Sequence, residues 1–289
     1  MQNIIPQLWF DKEAKEAAEF YCSVFDNSTI KSIARIYDTP SGDCDIVSFQ
    51  IMGYDFMAIS AGPLFKINPS ISFHVKCISV SEVDEIWKKL SGEGTVMMEL
   101  GEYPFSKRYG WIQDKYGVSW QIIHNERDCK QRIMPALMFV GDVCGKAEEA
   151  INFYTSIFPD TNAQVLARYS KGEEPDKEGT VKYAEFTLSG QEFGVMDSAW
   201  THHFDFNEAV SFIVNCNDQK EIDYFWNKLS AVPEAEQCGW VKDNYGISWQ
   251  ITPANMGELI AKNPKKTTPI ILKMKKIIIE DLKRAGEGK

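Results

Sequence analysis

The chain has 289 residues, 44% of them hydrophobic and 25% charged, with a formal net charge of 31 − 41 = −10. At roughly 100–200 residues per domain the length suggests two domains, and the composition excludes disordered, collagen-like and low-complexity classes. An acidic chain lacks the basic face that clamps phosphate backbones or docks on anionic membranes, so neither nucleic acid nor membrane is an expected partner.

The opening stretch has no basic region followed by an apolar core, so no signal peptide is expected. No run approaches the ~18 apolar residues of a spanning helix. The seven cysteines are odd in number and scattered, and none forms C-x-x-C. That pattern argues against a disulfide framework and a structural zinc site, and makes a reducing cytoplasm the expected location.

In chain order, residues 4–10 read as a short apolar strand leading into a helix. Ala14, Ala17, Ala18, Tyr21 and Phe25 recur at i, i+3, i+4, i+7 and i+11, which is one apolar helix face. Strand-like runs follow at 30–37, 46–52 and 55–60, with Gly53 at the last turn. A strand at 71–76 precedes a helix bearing Val83, Ile86, Trp87 and Leu90. Residues 95–107 then form either a lid over a cavity or the long arm of a hairpin. Two closing strands, 109–113 and 118–123, are joined through Asp-Lys-Tyr-Gly. The polar stretch 124–132 reads as a linker.

After the linker the order repeats. Trp111 and Trp240 sit in near-identical closing segments at an offset of 129, and Pro6 and Pro135 share that offset. Phe20 and Tyr21 match Phe153 and Tyr154 at 133; Ser72 and Trp87 match Ser211 and Trp226 at 139. The copies differ in one span: 21 residues separate Leu90 from Trp111, but 11 separate Leu229 from Trp240. The expected domains are a first unit at 1–126, a second at 127–257 and a tail at 258–289. In the tail, 263–269 reads as a linker and 270–285 as a basic amphipathic helix. That helix docks either on a membrane or on the protein's own acidic body. Each unit reads as α+β, two βαβββ modules whose curved mixed sheet surrounds a concave face, with helices on the other side.

Phe20-Tyr-x-Ser-Val-Phe25 closes the first helix, and Asp-x-Tyr-Gly-x-Ser-Trp-Gln-Ile closes each unit. With this grammar, residues 3–253 resemble the PhnB-like branch of the vicinal oxygen chelate superfamily, also described as 3-demethylubiquinone methyltransferase-like. That superfamily includes glyoxalase I, extradiol dioxygenases, fosfomycin-resistance enzymes and bleomycin-binding proteins. The resemblance implies paired βαβββ modules and, in the metal enzymes, a divalent ion held from the first, fourth, fifth and eighth strands. Gln121 and Gln250 stand where those enzymes present Glu, Ser70 and Ala209 where the fifth strand presents His, and Ile5 and Met134 about where the first does. A neutral amide is a weak partner for a hard dication. No cofactor is therefore expected, and a divalent metal is disfavoured. No G-x-G turn follows any strand, so methyl transfer is not expected either.

Strand alternation sorts the rest by face. The first unit is expected to line its cavity with Gln7, Trp9, Ser72, His74, Ser119 and Gln121. The second is expected to use Met138, Asp197, Ser211 and Gln250. His74 is either an acid, base or ligand, or a half-buried sheet histidine bonded to a neighbour. Gln121 and Gln250, at one register in both copies, either contact a ligand or make a structural bond. The tryptophan pairs Trp111/Trp240 and Trp120/Trp249 read as packing, and Trp9 as a ligand platform. His202 and His203 read as a solvated loop. The expected function is binding of a small organic molecule without the usual metal site. Two alternatives stay open: a lyase, isomerase or dioxygenase with a degenerate metal site on His74 and Gln121, and a scaffold for pairing with a partner chain, a homodimer included.

Overall fold

The structure is a computed structural model and describes residues 3–39, 42–125 and 129–287. Residues 126–128, within the expected linker and at the expected unit boundary, lie outside the described residues. The first repeat runs β1 (Ile4–Phe10), α1 (Ala14–Val24), β2 (Thr29–Thr39), β3 (Gly42–Ile51), β4 (Tyr54–Ser60), β5 (Ile71–Cys77), α2 (Val80–Leu90), β6 (Thr95–Tyr103), β7 (Ser106–Gln113) and β8 (Ser119–His124). The second runs β9 (Ile133–Phe139), α3 (Ala147–Ile157), β10 (Asn162–Arg168), β11 (Val181–Leu188), β12 (Gln191–Asp197), β13 (Val210–Cys216), α4 (Gln219–Leu229), β14 (Trp240–Lys242) and β15 (Ser248–Pro253). Residues 95–107 are the long arm of a hairpin: β6 pairs antiparallel with β7, and the shorter second repeat has no such strand.

The helix starts show why these segments fold where they do. In α2 the Ser79 hydroxyl accepts from the Glu82 amide at 3.1 Å, and the Glu82 carboxylate accepts from the Ile78 amide at 2.9 Å. Asp218 and Glu221 repeat the arrangement at α4, accepting from Glu221 N at 3.0 Å and Asn217 N at 2.8 Å. Each pair satisfies amides that a helix start leaves without partners.

The chain divides into two compact units, Leu8–Ala209 and Met1–Gln7 with Val210–Lys289. The larger holds an eight-stranded mixed sheet in the order β10-β11-β12-β9-β5-β8-β7-β6. Here β5 pairs parallel with β8 and antiparallel with β9, the first strand of the second repeat. This corrects the expectation that each repeat wraps a sheet of its own: the sheet takes half its strands from each copy. Likeness between the copies cannot say which half pairs with which, because the pairing surfaces are alike too. In the same unit α2 packs on β7 and β8, and α3 on β11 and β12. A Cβ on Gly110 of β7 would lie 2.4 Å from the Trp87 ring, so only glycine lets α2 approach this closely. The aromatic core here joins Tyr21, Phe49, Phe56, Phe73 and Trp120 through ring contacts of 5.1–6.3 Å.

The smaller unit carries β13, β14 and β15. After them come α5 (Met256–Lys262), α6 (Pro264–Ile271) and α7 (Ile279–Gly286). The expected linker 263–269 is therefore mostly helical, because Pro264 occupies the first turn, where its missing N–H costs nothing. The single helix expected over 270–285 is broken. Between α6 and α7, Met274 O and Lys275 O accept from Cys238 N and Gly239 N at 2.8 and 2.7 Å, and Gln219 bonds to both Ile277 O and Ile279 N. Lys275 and Lys276 pair with Glu236 and Asp223, so the tail docks on the protein's own acidic groups. No helix among the described residues is long and apolar enough to cross a membrane.

Candidate functional site

The site is built on the helix-free face of the eight-stranded sheet. Phe73 on β5 turns to the helices, where its ring meets Trp120, so Ser72, His74 and Lys76 take the opposite face. On β8 the same alternation turns Ser119 and Gln121 to that face. Register sets His74 beside Gln121 on one side and Met134 on the other. A bonded polar row follows. The Tyr109 hydroxyl donates to Gln121 Oε1 at 2.6 Å, Gln121 Nε2 donates to Ser72 Oγ at 2.8 Å, and Trp111 Nε1 donates to Ser119 Oγ at 2.7 Å.

His74 lies beside this row, with Gln121 close enough to favour its charged form as a hydrogen-bonding neighbour, but no bond of good geometry reaches its Nε2. It is 6% exposed, and its Nε2 is buried without a hydrogen-bond partner among the described residues. Its Nδ1 lies 3.5 Å from the Tyr183 hydroxyl of β11, which donates to Glu185 Oε1 at 2.9 Å. The two rings are parallel within 7°, with centroids 5.8 Å apart. Burial pushes the His74 imidazole down to about 3; the Lys76 charge adds to the effect and Gln121 opposes it. The imidazole is therefore neutral at pH 7. Burial also raises the Tyr183 hydroxyl, with Glu185 adding to the shift. The Lys76 ammonium engages the Glu192 carboxylate. Gly194 of β12 lets its neighbours approach closely: the Met134 methyl and the Tyr183 hydroxyl lie 3.3 and 3.4 Å from where a Cβ would stand. A cleft of about 420 Å³ opens at the β6–β7 turn, lined in part by Tyr103, Phe105 and His124. Tyr109 links cleft and site, since its ring touches Tyr103 and Phe105 while its hydroxyl holds Gln121.

The expected site residues separate. Ser72, His74, Ser119 and Gln121 come together, and Met138 joins them on the same face of β9 as Met134. Gln7 and Trp9 lie on β1, outside this sheet, so the six-residue cavity expected of the first unit does not form as one set. Trp9 Nε1 donates to Gly62 O at 2.7 Å, and its ring meets Phe65 edge-on. Ser211 and Gln250 belong to the smaller unit, where Gln250 Nε2 donates to Ser211 Oγ at 2.9 Å. Asp197 does not face the site. It alternates with Phe193 and Val195 on the helix side, where its carboxylate accepts from Gly145 N, Ala147 N and Val181 N at 2.7, 3.1 and 3.0 Å. It thus caps α3, as Ser60 Oγ caps α1 by accepting from Ala14 N at 3.2 Å. Burial raises the Asp197 carboxyl, and the three amides oppose the shift. His203 is exposed, and His202 is a partly exposed loop residue whose Nε2 lies 2.9 Å from Ser198 Oγ.

The closing motif has a structural role. Asp114 accepts from Tyr116 N at 2.8 Å, Val118 N at 3.0 Å and Trp120 Nε1 at 2.8 Å. Asp243 repeats this with Tyr245 N, Ile247 N and Trp249 Nε1 at 2.9, 3.0 and 2.8 Å. Tyr109, Tyr183 and Glu185 were not foreseen as site residues. The alternation of Tyr183 and Glu185 along one strand was the available signal, but it has meaning only once β11 is known to share a sheet with β5.

The metal implied by the superfamily does not fit these residues. The register that sets His74 between Gln121 and Met134 supplies one imidazole, one amide and one thioether, a poor donor set for a hard dication. Among the described residues no three His, Cys, Asp or Glu side chains come together.

Comparison with known proteins follows the same lines. The family model described as 3-demethylubiquinone-9 3-methyltransferase matches residues 2–123 and, a second time, 131–252. The chain is similar to the PhnB protein from Bacillus cereus, with 40% identity over 43% of this chain and 100% of that one and a TM-score of 0.40. It is similar to glyoxalase I from Zea mays, with 12% identity over 90% of this chain and 97% of that one and a TM-score of 0.56. At that identity the second likeness shows the fold alone. No curated protein matches.

Proposed function

The chain belongs to the family described as 3-demethylubiquinone-9 3-methyltransferase, in both of its repeats, and on that premise we propose that it binds a small organic molecule at His74 without a metal ion. One observation carries this reading: beside two bonded sets, Tyr109–Gln121–Ser72 and Trp111–Ser119, His74 Nε2 is buried and unpartnered among the described residues. A buried polar atom left this way costs about 1–3 kcal/mol, a cost that a ligand donating to it would remove. Methyl transfer is not part of the proposal, because no G-x-G turn follows any strand.

The test is a thermal-shift screen of small organic molecules on chelator-treated protein. A ligand at a hundred times its dissociation constant adds about 2.7 kcal/mol, a shift of several degrees. Such a shift, lost in His74→Ile, supports the proposal. Stabilisation that appears only when a divalent metal is added, or that survives His74→Ile unchanged, contradicts it.

A further inference from the structure

We infer that the His74 site takes an uncharged aromatic molecule that donates one O–H or N–H to His74 Nε2, a phenol in its simplest form. The inference rests on the binding reading above and adds the polarity, charge and shape of the ligand.

Polarity follows from a chain of three groups. The Tyr183 hydroxyl gives its proton to Glu185 Oε1 at 2.9 Å. It therefore turns an oxygen lone pair, not a proton, toward His74 Nδ1 at 3.5 Å. That arrangement favours the tautomer with hydrogen on Nδ1 and leaves Nε2 a bare acceptor. The neighbouring donors are already engaged: Tyr109 and Gln121 donate along the row, and Trp111 donates to Ser119. The face thus asks for a donor.

Charge is excluded in both senses. An anion would meet the carboxylates of Glu185 and Glu192, and the nearby Lys76 ammonium is held by Glu192. A cation donating to His74 Nε2 would leave water for a buried face and meet the Lys76 ammonium two residues along the same side of β5.

Shape follows from the walls. The Tyr183 and His74 rings lie parallel, the Met134 methyl sits over Gly194, and Tyr109 leads to the aromatic side chains of the cleft. Thioether and ring edges suit a flat aromatic ligand.

The chain has four histidines, so long-range proton–nitrogen spectra of protein labelled with 15N-histidine can isolate His74. The probes are phenol, anisole, benzoate and benzylammonium. In the free protein His74 Nε2 is expected as the unprotonated nitrogen. Phenol is expected to move that resonance in the direction of an accepted hydrogen bond and to bind at least ~tenfold more tightly than the other three. His74→Ile is expected to abolish phenol binding. Should that variant not fold, the contrast between phenol and anisole on the unmodified chain decides. Benzoate or benzylammonium outbinding phenol while moving the His74 resonance overturns the ligand class and leaves the site standing. No response of His74 to any probe, with phenol bound elsewhere or not at all, overturns the site as well.

Discussion

Two faces of this chain share one short pattern and then part. On β5 and β8, Ser72 and Gln121 are bonded at 2.8 Å; on β13 and β15, Ser211 and Gln250 are bonded at 2.9 Å. Two residues along the strand, the first face has His74 and the second Ile213, both buried. On β12 the first face has Gly194 where the copy on β4 has Met57. The Gln–Ser bond and the aspartate clamps at Asp114 and Asp243 recur in both copies and hold strands together. The differences fall at the positions that set polarity and space. What the duplication kept is architecture, and what it changed is the surface a ligand would touch.

The largest expected effect tests the shared part. Asp114→Ala and Asp243→Ala should each destabilise by about 3–5 kcal/mol in urea unfolding, because two backbone amides and an indole N–H lose their acceptor. Similar losses in both copies fit a structural clamp. Asp114→Ala that keeps stability but loses ligand would move the aspartate into the site.

The next tests the divergent part through pH. The folded His74 pKa is pushed down to about 3 from an ordinary value of 6.5, so below pH 6.5 the unfolded chain takes the proton first. The His74 contribution is fully present above pH 6.5 and is lost as pH falls toward 3, by up to about 1.4 kcal/mol per pH unit. His74→Ile should flatten that part of the stability–pH curve, whereas a curve unchanged by the substitution would contradict the burial of this imidazole.

Exchanging the two residues sharpens the contrast. Ile213→His should cost about 2–3 kcal/mol by burying a polar ring where an apolar side chain now packs. His74→Ile should stabilise the protein by about 1–2 kcal/mol at pH 7 by removing an unpartnered buried nitrogen. Denaturant titration of both variants measures this, and a loss of stability in His74→Ile would mean that the histidine is bonded. An effect of the same size as His74→Ile but of opposite sign, a loss of about 1–2 kcal/mol, is expected for Gln121→Leu, which leaves Tyr109 and Ser72 without their partner.

Much of the fold was legible in the sequence. The helical periodicity from Ala14 to Phe25 and the alternation on 71–76 depend on neighbours within a few residues, and both elements form as expected. The polar row of Ser72, Ser119 and Gln121 was legible for the same reason. Asp197 was misplaced because it was assigned from its position at the strand end; alternation with Phe193 and Val195 puts it on the helix side, where it caps α3. The exchange of halves between repeats was not legible at all. It is decided by β5 meeting β9, a backbone pairing between strands far apart in the chain that no local pattern specifies. Tyr183 and Glu185 reach His74 only through that exchange, so no local pattern could have assigned them.

The central claim is that His74 offers a buried acceptor to an organic ligand on a face that does not hold a metal. The most direct measurement is a crystal structure of chelator-treated protein soaked with phenol. Ring density is expected on the His74 face, with its oxygen about 2.6–3.0 Å from His74 Nε2, and none beside Ile213. Density for a coordinated cation at His74, or a ring bound elsewhere with Nε2 untouched, would contradict it.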